Sequence, residues 1–371
     1  MNNKSTKIEY QKVRIALVGC GRISRNHILS IAINDDKAQL VAVCDKQEDQ
    51  AHQAIKIYSQ ALKDNNKENF EPKIYFDYKD LMTESLNGKQ QIDLVVLATP
   101  SGLHPSQTIS AARAGINVCT EKPMATRWSD GLEMVKACEK AKVKLFVVKQ
   151  NRFNSTLQLV KRQIKTGRFG KIAMVCINVF WQRPQSYYNQ AEWRGTLEMD
   201  GGALMNQASH YVDLLDWLIG PVESLSASTA TLGRDIEAED TAAIQLKWKN
   251  GALGTMAVTM LTYPKNLEGS ITILGETGTV KIGGNAVNNI EHWSFANECS
   301  DDDLIEKASY ETSSVYGFGH PPYYANMIEC LSGKGEPYCD GREGLKSLEL
   351  LESAYLSAKS KKVINLPLDS L

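Results

Sequence analysis

Val13-Arg14-Ile15-Ala16-Leu17-Val18-Gly19-Cys20-Gly21-Arg22-Ile23-Ser24 joins a short apolar run to a pair of glycines and then to an amphipathic segment. Val13–Gly19 reads as a buried strand and Arg22–Ile33 as the helix that follows it. Glycine at Gly19 allows the tight turn between them, and glycine at Gly21 lets the backbone come close to a pyrophosphate. The helix from Arg22, with Ile23 in its first turn, offers N–H groups and the positive end of its dipole to phosphate. Ser24 takes the place of a third glycine and is small enough to keep the helix close to the strand. Asp45 ends the next strand, Gln39–Asp45, 24 residues past Gly21. A carboxylate there accepts hydrogen bonds from an adenine ribose and repels a 2′-phosphate, so NAD is expected rather than NADP. Taken alone, Gly-x-Gly is an ordinary strand–helix turn and Asp45 an ordinary turn aspartate; the strand–turn–helix–strand context gives the dinucleotide reading.

Outward from this turn, apolar runs alternate with amphipathic stretches. Further strands are expected at Asp93–Thr99, Asn117–Thr120 and Lys144–Lys149, with helices at Lys46–Leu62, His104–Ala114 and Arg127–Ala141. Such alternation predicts an α/β fold that opens with a doubly wound parallel sheet, over residues 1–150. Residues 151–371 differ. After a helix at Ser155–Thr166, strands are expected at Ile172–Trp181, Val222–Leu232, Thr241–Trp248, Leu253–Leu261, Gly269–Leu274 and Thr279–Ile282. Turns at Lys249-Asn250-Gly251 and Glu276-Thr277-Gly278 make hairpins of neighbours, hence a mostly antiparallel sheet with helices on one face. One helix is expected at Gly202–Leu218, and two close the chain near Tyr323–Leu331 and Gly344–Ser360. Asp64–Pro72 and the acidic Asn297–Asp303 read as surface loops.

Bulk composition excludes several classes. Lys plus Arg total 42 against 43 Asp plus Glu, a net charge of -1 in 371 residues, so nucleic acid and anionic membranes have no bulk attraction for the chain. Met1–Gln11 is polar and lacks an apolar signal core, and no stretch approaches the roughly 20 apolar residues of a membrane span. None of the eight cysteines forms a C-x-x-C pair, so no metal site is expected and the thiols read as reduced and structural in a cytoplasmic protein.

Two constellations carry candidate chemistry. Ala98-Thr99-Pro100-Ser101-Gly102-Leu103-His104 ends the fourth strand and Thr120-Glu121-Lys122-Pro123 the fifth, and strand carboxyl ends are where ligands bind in open α/β sheets. Lys122 there can bond a reacting hydroxyl and stabilise a developing alkoxide; by position alone it is equally a strand-end lysine whose stem lies on apolar surface. In Asp200–Asp213, Asn206 and His210 stand at i and i+4, and His210 and Asp213 at i and i+3, so one helical face can carry all three. His210 can take a hydroxyl proton, Asp213 orient the imidazole and Asn206 bind substrate or cofactor. A half-buried histidine paired with Asp213 for stability fits the same spacing. His27, His52, His292 and His320 show no such partners and read as structural or surface residues.

Gly19-Cys20-Gly21, Glu121-Lys122-Pro123 and Asn206–Asp213 together resemble the glucose–fructose oxidoreductase, inositol dehydrogenase and rhizopine-catabolism (Gfo/Idh/MocA) family over nearly the whole chain. The resemblance implies a Rossmann domain, then an α/β domain on a large open sheet through whose face oligomers form, here a homotetramer, with final helices packing back toward the Rossmann domain. It implies Lys122 and His210 as the reacting pair, Pro100 and His104 beside the nicotinamide with Thr99, Glu121 and Gln150 nearby, and Trp193-Arg194 reaching into the site. Asn206 departs from the Asp of inositol dehydrogenase-like members. Met205–His210 and Lys149–Asn154 are similar to the branch that oxidises the C3 hydroxyl of UDP-N-acetylglucosaminuronic acid for bacterial surface polysaccharides, some members of which recycle NADH with 2-oxoglutarate. So anionic a substrate needs a local cationic pocket, for which Arg152, Arg183 and Arg194 are the candidates, each equally a surface charge. A free-sugar or inositol dehydrogenase, an NAD-dependent glycosidase and a non-catalytic dinucleotide sensor remain as alternatives.

Overall fold

The computed structural model describes residues 12–312 and 315–368; Met1–Gln11, with its expected lack of a signal core, lies outside them. A six-stranded parallel sheet comes first: β1 (Val13–Val18), β2 (Ala38–Cys44), β3 (Lys73–Tyr75), β4 (Leu94–Leu97), β5 (Asn117–Thr120) and β6 (Leu145–Val147), in the order β3-β2-β1-β4-β5-β6. Helices α1 (Ser24–Ile33), α2 (Glu48–Asp64), α3 (Tyr78–Leu86), α4 (His104–Arg113) and α5 (Trp128–Ala141) connect its strands. Burial on both faces explains the unbroken apolar run of β4, Leu94-Val95-Val96-Leu97. The strand order reverses between β1 and β4, so the turn at Gly19 and the loop after β4 flank a crevice at the sheet's carboxyl edge. β3 and α3 were not anticipated: β3 has three residues and buries only Tyr75 fully, too little for a periodic signal.

The second sheet holds β7 (Ile172–Phe180), β8 (Val222–Ala230), β9 (Thr241–Trp248), β10 (Leu253–Thr259), β11 (Glu268–Gly275), β12 (Gly278–Gly283), β13 (Asn289–Phe295) and β14 (Ile364–Asn365), in the order β13-β12-β11-β7-β10-β9-β8-β14. Only β7 and β10 pair in parallel; the other neighbours are antiparallel. In β9, Ala242, Ile244, Leu246 and Trp248 are buried while Ala243, Gln245 and Lys247 are exposed, so one sheet face is covered and the other open. β13 and β14 escape the sequence reading because an edge strand with few buried positions and a two-residue strand show no alternation.

Helices α6 (Ser155–Lys165), α7 (Gln185–Tyr188), α8 (Ser209–Leu214) and α9 (Ile305–Ala308) follow in chain order. The single helix expected at Gly202–Leu218 is interrupted: α8 lies between two π-helical turns, Ala203–Gln207 and Leu215–Ile219. Glu239 causes the first irregularity. Its Oε1 accepts the Leu204 N–H at 2.8 Å, and a Cβ on Gly202 would lie 2.0 Å from its Oε2. The last helices, α10 (His320–Leu331) and α11 (Gly341–Ser360), return to the first sheet: α10 packs on α1, and α11 contacts α5 and β6 on one side and β8 on the other. No helix among the described residues is long and apolar enough to cross a membrane.

Candidate active site

The glycine turn has the geometry that a pyrophosphate cradle needs. Gly19 has φ +91° and a Cβ there would lie 2.6 Å from the Ala98 carbonyl carbon, so only glycine fits. At Gly21 the opposite holds: no atom lies within 4 Å of where a Cβ would stand, leaving the backbone open to a ligand. No side chain caps the N-terminus of α1, which begins at Ser24 after Arg22 and Ile23. The Asp45 carboxylate is fixed at the end of β2 by the Cys20 N–H at 2.7 Å and the Gln47 N–H at 2.9 Å. An open glycine, an uncapped helix start and a held carboxylate fit a dinucleotide.

The loop after β4 corrects one expectation. His104 is 1% exposed, and its ring nitrogens each lie 3.0 Å from a main-chain oxygen, Nδ1 from Pro123 and Nε2 from Thr99. It therefore braces the two loops at the crevice from beneath, instead of lining the cleft with its side chain. Thr99 Oγ1 donates to Gln107 Oε1 at 2.7 Å, and Pro100 introduces a short helical turn, Ser101–Leu103.

Lys122 and Glu121 diverge at the end of β5. Glu121 turns inward, where its Oε1 lies 3.1 Å from His27 Nε2 and 4.0 Å from His320 Nε2, and its Oε2 accepts the Lys122 N–H at 3.0 Å. Burial alone would raise the Glu121 carboxyl, but the two histidines and the Lys122 charge hold it well below the usual range. The sequence reading gave His27 and His320 no partners; α1 and α10 bring both to this one carboxylate. Lys122 turns toward the second sheet, and its Nζ donates to the main-chain oxygen of Asn206 at 3.0 Å. Burial lowers its pKa, while Glu121 and Asp200 act in the opposite direction.

His210 lies one helical turn beyond that oxygen and is 7% exposed. The Gln150 amide donates to its Nε2 at 3.2 Å, which makes Nε2 the acceptor nitrogen. Burial, then the Lys122 charge, push the imidazole well below its ordinary value, so it is neutral near pH 7 and able to take a proton. The expectation that Asp213 orients this ring is not met. Asp213 accepts two bonds from Arg152, at 2.7 and 2.8 Å, with Lys149 Nζ at 3.5 Å, and no hydrogen bond joins it to His210. Arg152 leaves the list of pocket cations for the same reason: it is 2% exposed and its remaining reach goes to Glu343 at 3.1 Å. Asn206 does not share a face with His210 either. The π turn directs its side-chain amide to Asp200 Oδ1.

Arg183 and Arg194 do come together, with Arg22 from the glycine turn. Their guanidinium carbons lie 5.5, 4.4 and 5.7 Å from the centre of the Tyr187 ring, and Arg194 lies 4.7 Å from that of Trp193. None of the three forms an ion pair with a carboxylate among the described residues. Burial lowers the Arg183 pKa, and the Arg22 charge adds to that effect. Tyr187, Lys149 and Asp200 were missed as site residues. Arg-Tyr stacking across loops leaves no spacing in the sequence, whereas Asp200 was visible six positions before Asn206.

Residues 13–149 match an oxidoreductase family described by its NAD-binding Rossmann fold, and residues 161–366 match the C-terminal alpha/beta domain of the same family. The fold superimposes on the WlbA dehydrogenase of Bordetella pertussis, solved in complex with NADH and UDP-GlcNAcA, with a TM-score of 0.88 and 57% identity, covering 98% of this chain and 100% of that one. The WlbA dehydrogenase of Chromobacterium violaceum, in complex with the same two ligands, gives a TM-score of 0.87 and 55% identity, covering 98% of each chain. D-apiose dehydrogenase of Paraburkholderia graminis is 26% identical over 98% of this chain and 92% of its own length.

Proposed function

We propose, on the premise that this chain belongs to the Gfo/Idh/MocA family of NAD-dependent oxidoreductases, that it oxidises the C3 hydroxyl of UDP-N-acetylglucosaminuronic acid to the 3-keto sugar. The observation that carries this is the convergence of Lys122 and the neutral His210 beside the glycine-turn crevice. Similarity above half identity to two dehydrogenases that bind NADH and this nucleotide sugar supports the substrate.

NAD, when bound, supplies the acceptor for the hydride that leaves the sugar carbon. Gly19, Gly21, Arg22 and Ile23 would hold its pyrophosphate and Asp45 its adenine ribose, with Thr99, Pro100, Gln150, Trp193 and Arg194 nearer the reacting end; the Glu121 side chain turns away to His27 and His320. His210 Nε2 takes the hydroxyl proton once the sugar hydroxyl displaces the Gln150 amide, which occupies the lone pair of that nitrogen in the absence of substrate. Lys122 bonds the same oxygen and stabilises the negative charge that grows on it. Arg22, Arg183 and Arg194, none of which forms an ion pair with a carboxylate among the described residues, supply positive charge for a substrate with two phosphates and a carboxylate.

Purified protein incubated with NAD and UDP-N-acetylglucosaminuronic acid should form NADH and a keto sugar; NADH formed instead from inositols or aldoses, or sugar release from aryl glycosides, would replace this substrate. Replacing His210 by Asn should lower kcat by about 10²–10⁴-fold with little change in NADH affinity. Asp45→Ser should weaken NAD binding and narrow its preference over NADP, read by titration with both cofactors; an unchanged ratio would remove Asp45 from the ribose site.

Recycling of NADH in place by 2-oxoglutarate is a separable part of the reading, supported if the keto acid stimulates turnover at limiting NAD and removed if NADH is released stoichiometrically without it. A homotetramer built on the open face of the second sheet is the assembly that the family resemblance supports. Its mass by sedimentation should be a multiple of 41.1 kDa, four-fold for the tetramer. The cytoplasm, where NAD and nucleotide sugars are at hand, is the expected compartment.

A further inference from the structure

Asp200 is buried, 2% exposed, at the start of the segment that carries Asn206 and His210. Its Oδ2 accepts the Gly195 N–H at 2.7 Å, which closes the turn that follows Trp193-Arg194. Its Oδ1 accepts the Asn206 side-chain amide. The main-chain oxygen of Asn206 in turn receives Lys122 Nζ at 3.0 Å. One carboxylate thus connects the turn bearing Arg194, the π turn before His210 and the lysine that meets the hydroxyl. The amide at position 206 carries no charge, so among the described residues the negative charges that hold up the Lys122 pKa come from Glu121 and Asp200. Of these, Glu121 is engaged on the far side by His27 and His320.

We propose that Asp200 is a positioning residue for the hydroxyl oxidation: ionised, it locks the Asn206 and Gly195 turns together and keeps Lys122 an ammonium beside the reacting oxygen. This rests on the dehydrogenase reading given above. Burial raises the Asp200 carboxyl to about 6, against the Gly195 N–H, the Arg194 charge, the Asn206 amide and the Lys122 charge. Besides Arg194 and Lys122, the Tyr188 phenol of α7 faces it and is raised by burial, by Tyr187 and by the Asp200 charge, while Glu239 stands on the other side of Gly202. As pH falls through about 6, Asp200 takes up a proton, loses its charge and turns one of its two acceptor oxygens into a donor.

Two readouts on the full chain test this. The first needs no substrate: the rate of Lys122 acetylation, resolved by peptide mass, is followed against pH. Asp200→Asn should shift the midpoint down by about one pH unit, because Lys122 loses a neighbouring charge; an unchanged midpoint overturns the proposal. The second is turnover. The wild type should lose kcat/KM on the acid side near 6, Asp200→Asn should lose this limb with kcat down about 10-fold, and the exchanged pair Asp200→Asn with Asn206→Asp should restore most of kcat. A merely structural Asp200 would instead lower Tm, keep the wild-type pH profile and show no rescue by the exchanged pair, and that pattern also overturns it. A shifted Lys122 midpoint without turnover of the nucleotide sugar would retain the role of Asp200 and discard the substrate alone.

Discussion

Lys122→Met is expected to lower kcat/KM by about 10²–10³-fold while NADH still binds with near-normal affinity. Methionine keeps the length and apolar stem of the lysine but brings no donor to the oxygen that Nζ addresses, nor a charge between Glu121 and Asp200. Transfer of excitation from protein tryptophans to bound NADH reads affinity separately from turnover, so a lost cofactor cannot pass for a lost catalyst. The pH profile of the wild type carries the same signature. Activity should fall on the alkaline side as the Lys122 ammonium loses its proton, earlier than for an ordinary lysine because burial lowers its pKa. Normal turnover by Lys122→Met would remove the residue from the mechanism.

Arg152→Ala is expected to act on the fold instead. Arg152 and Asp213 form a buried pair with two hydrogen bonds, and truncating the arginine leaves the carboxylate with Lys149 at 3.5 Å. Removing one partner of such a pair costs about 3–5 kcal/mol. Denaturant unfolding should show that loss, and KM for the substrate should stay unchanged in whatever fraction remains folded. A stable variant with a raised KM would return Arg152 to the substrate pocket.

The two constellations that organise the site were legible because each is local. Gly19 to Asp45 is one strand–helix–strand unit, and Lys122 is marked by the end of an apolar strand. His210 was found through helical spacing, but the partners read from that spacing were wrong. Periodicity reports which residues share a face of a regular helix, and the backbone here enters α8 through a π turn whose Leu204 N–H is held by Glu239, a residue in the loop between β8 and β9. The Arg152–Asp213 pair spans 61 positions and the bond between His27 and Tyr324 spans 297, so no window of sequence contains either. Buried charges are placed by which elements meet, and that is set by the packing of the two sheets around α11. The missed strands have a local cause: β3, β13 and β14 lie at sheet edges and bury too few side chains to impose an alternating pattern.

Oxidation at C3 is tested most directly with UDP-N-acetylglucosaminuronic acid carrying deuterium at C3, incubated with the purified protein and NAD. Hydride transfer from C3 predicts that the deuterium appears on the nicotinamide ring of the reduced cofactor and that the sugar is left as its 3-keto form. Reduced cofactor without deuterium, or no reduction at all while inositols or free aldoses are oxidised, would contradict it.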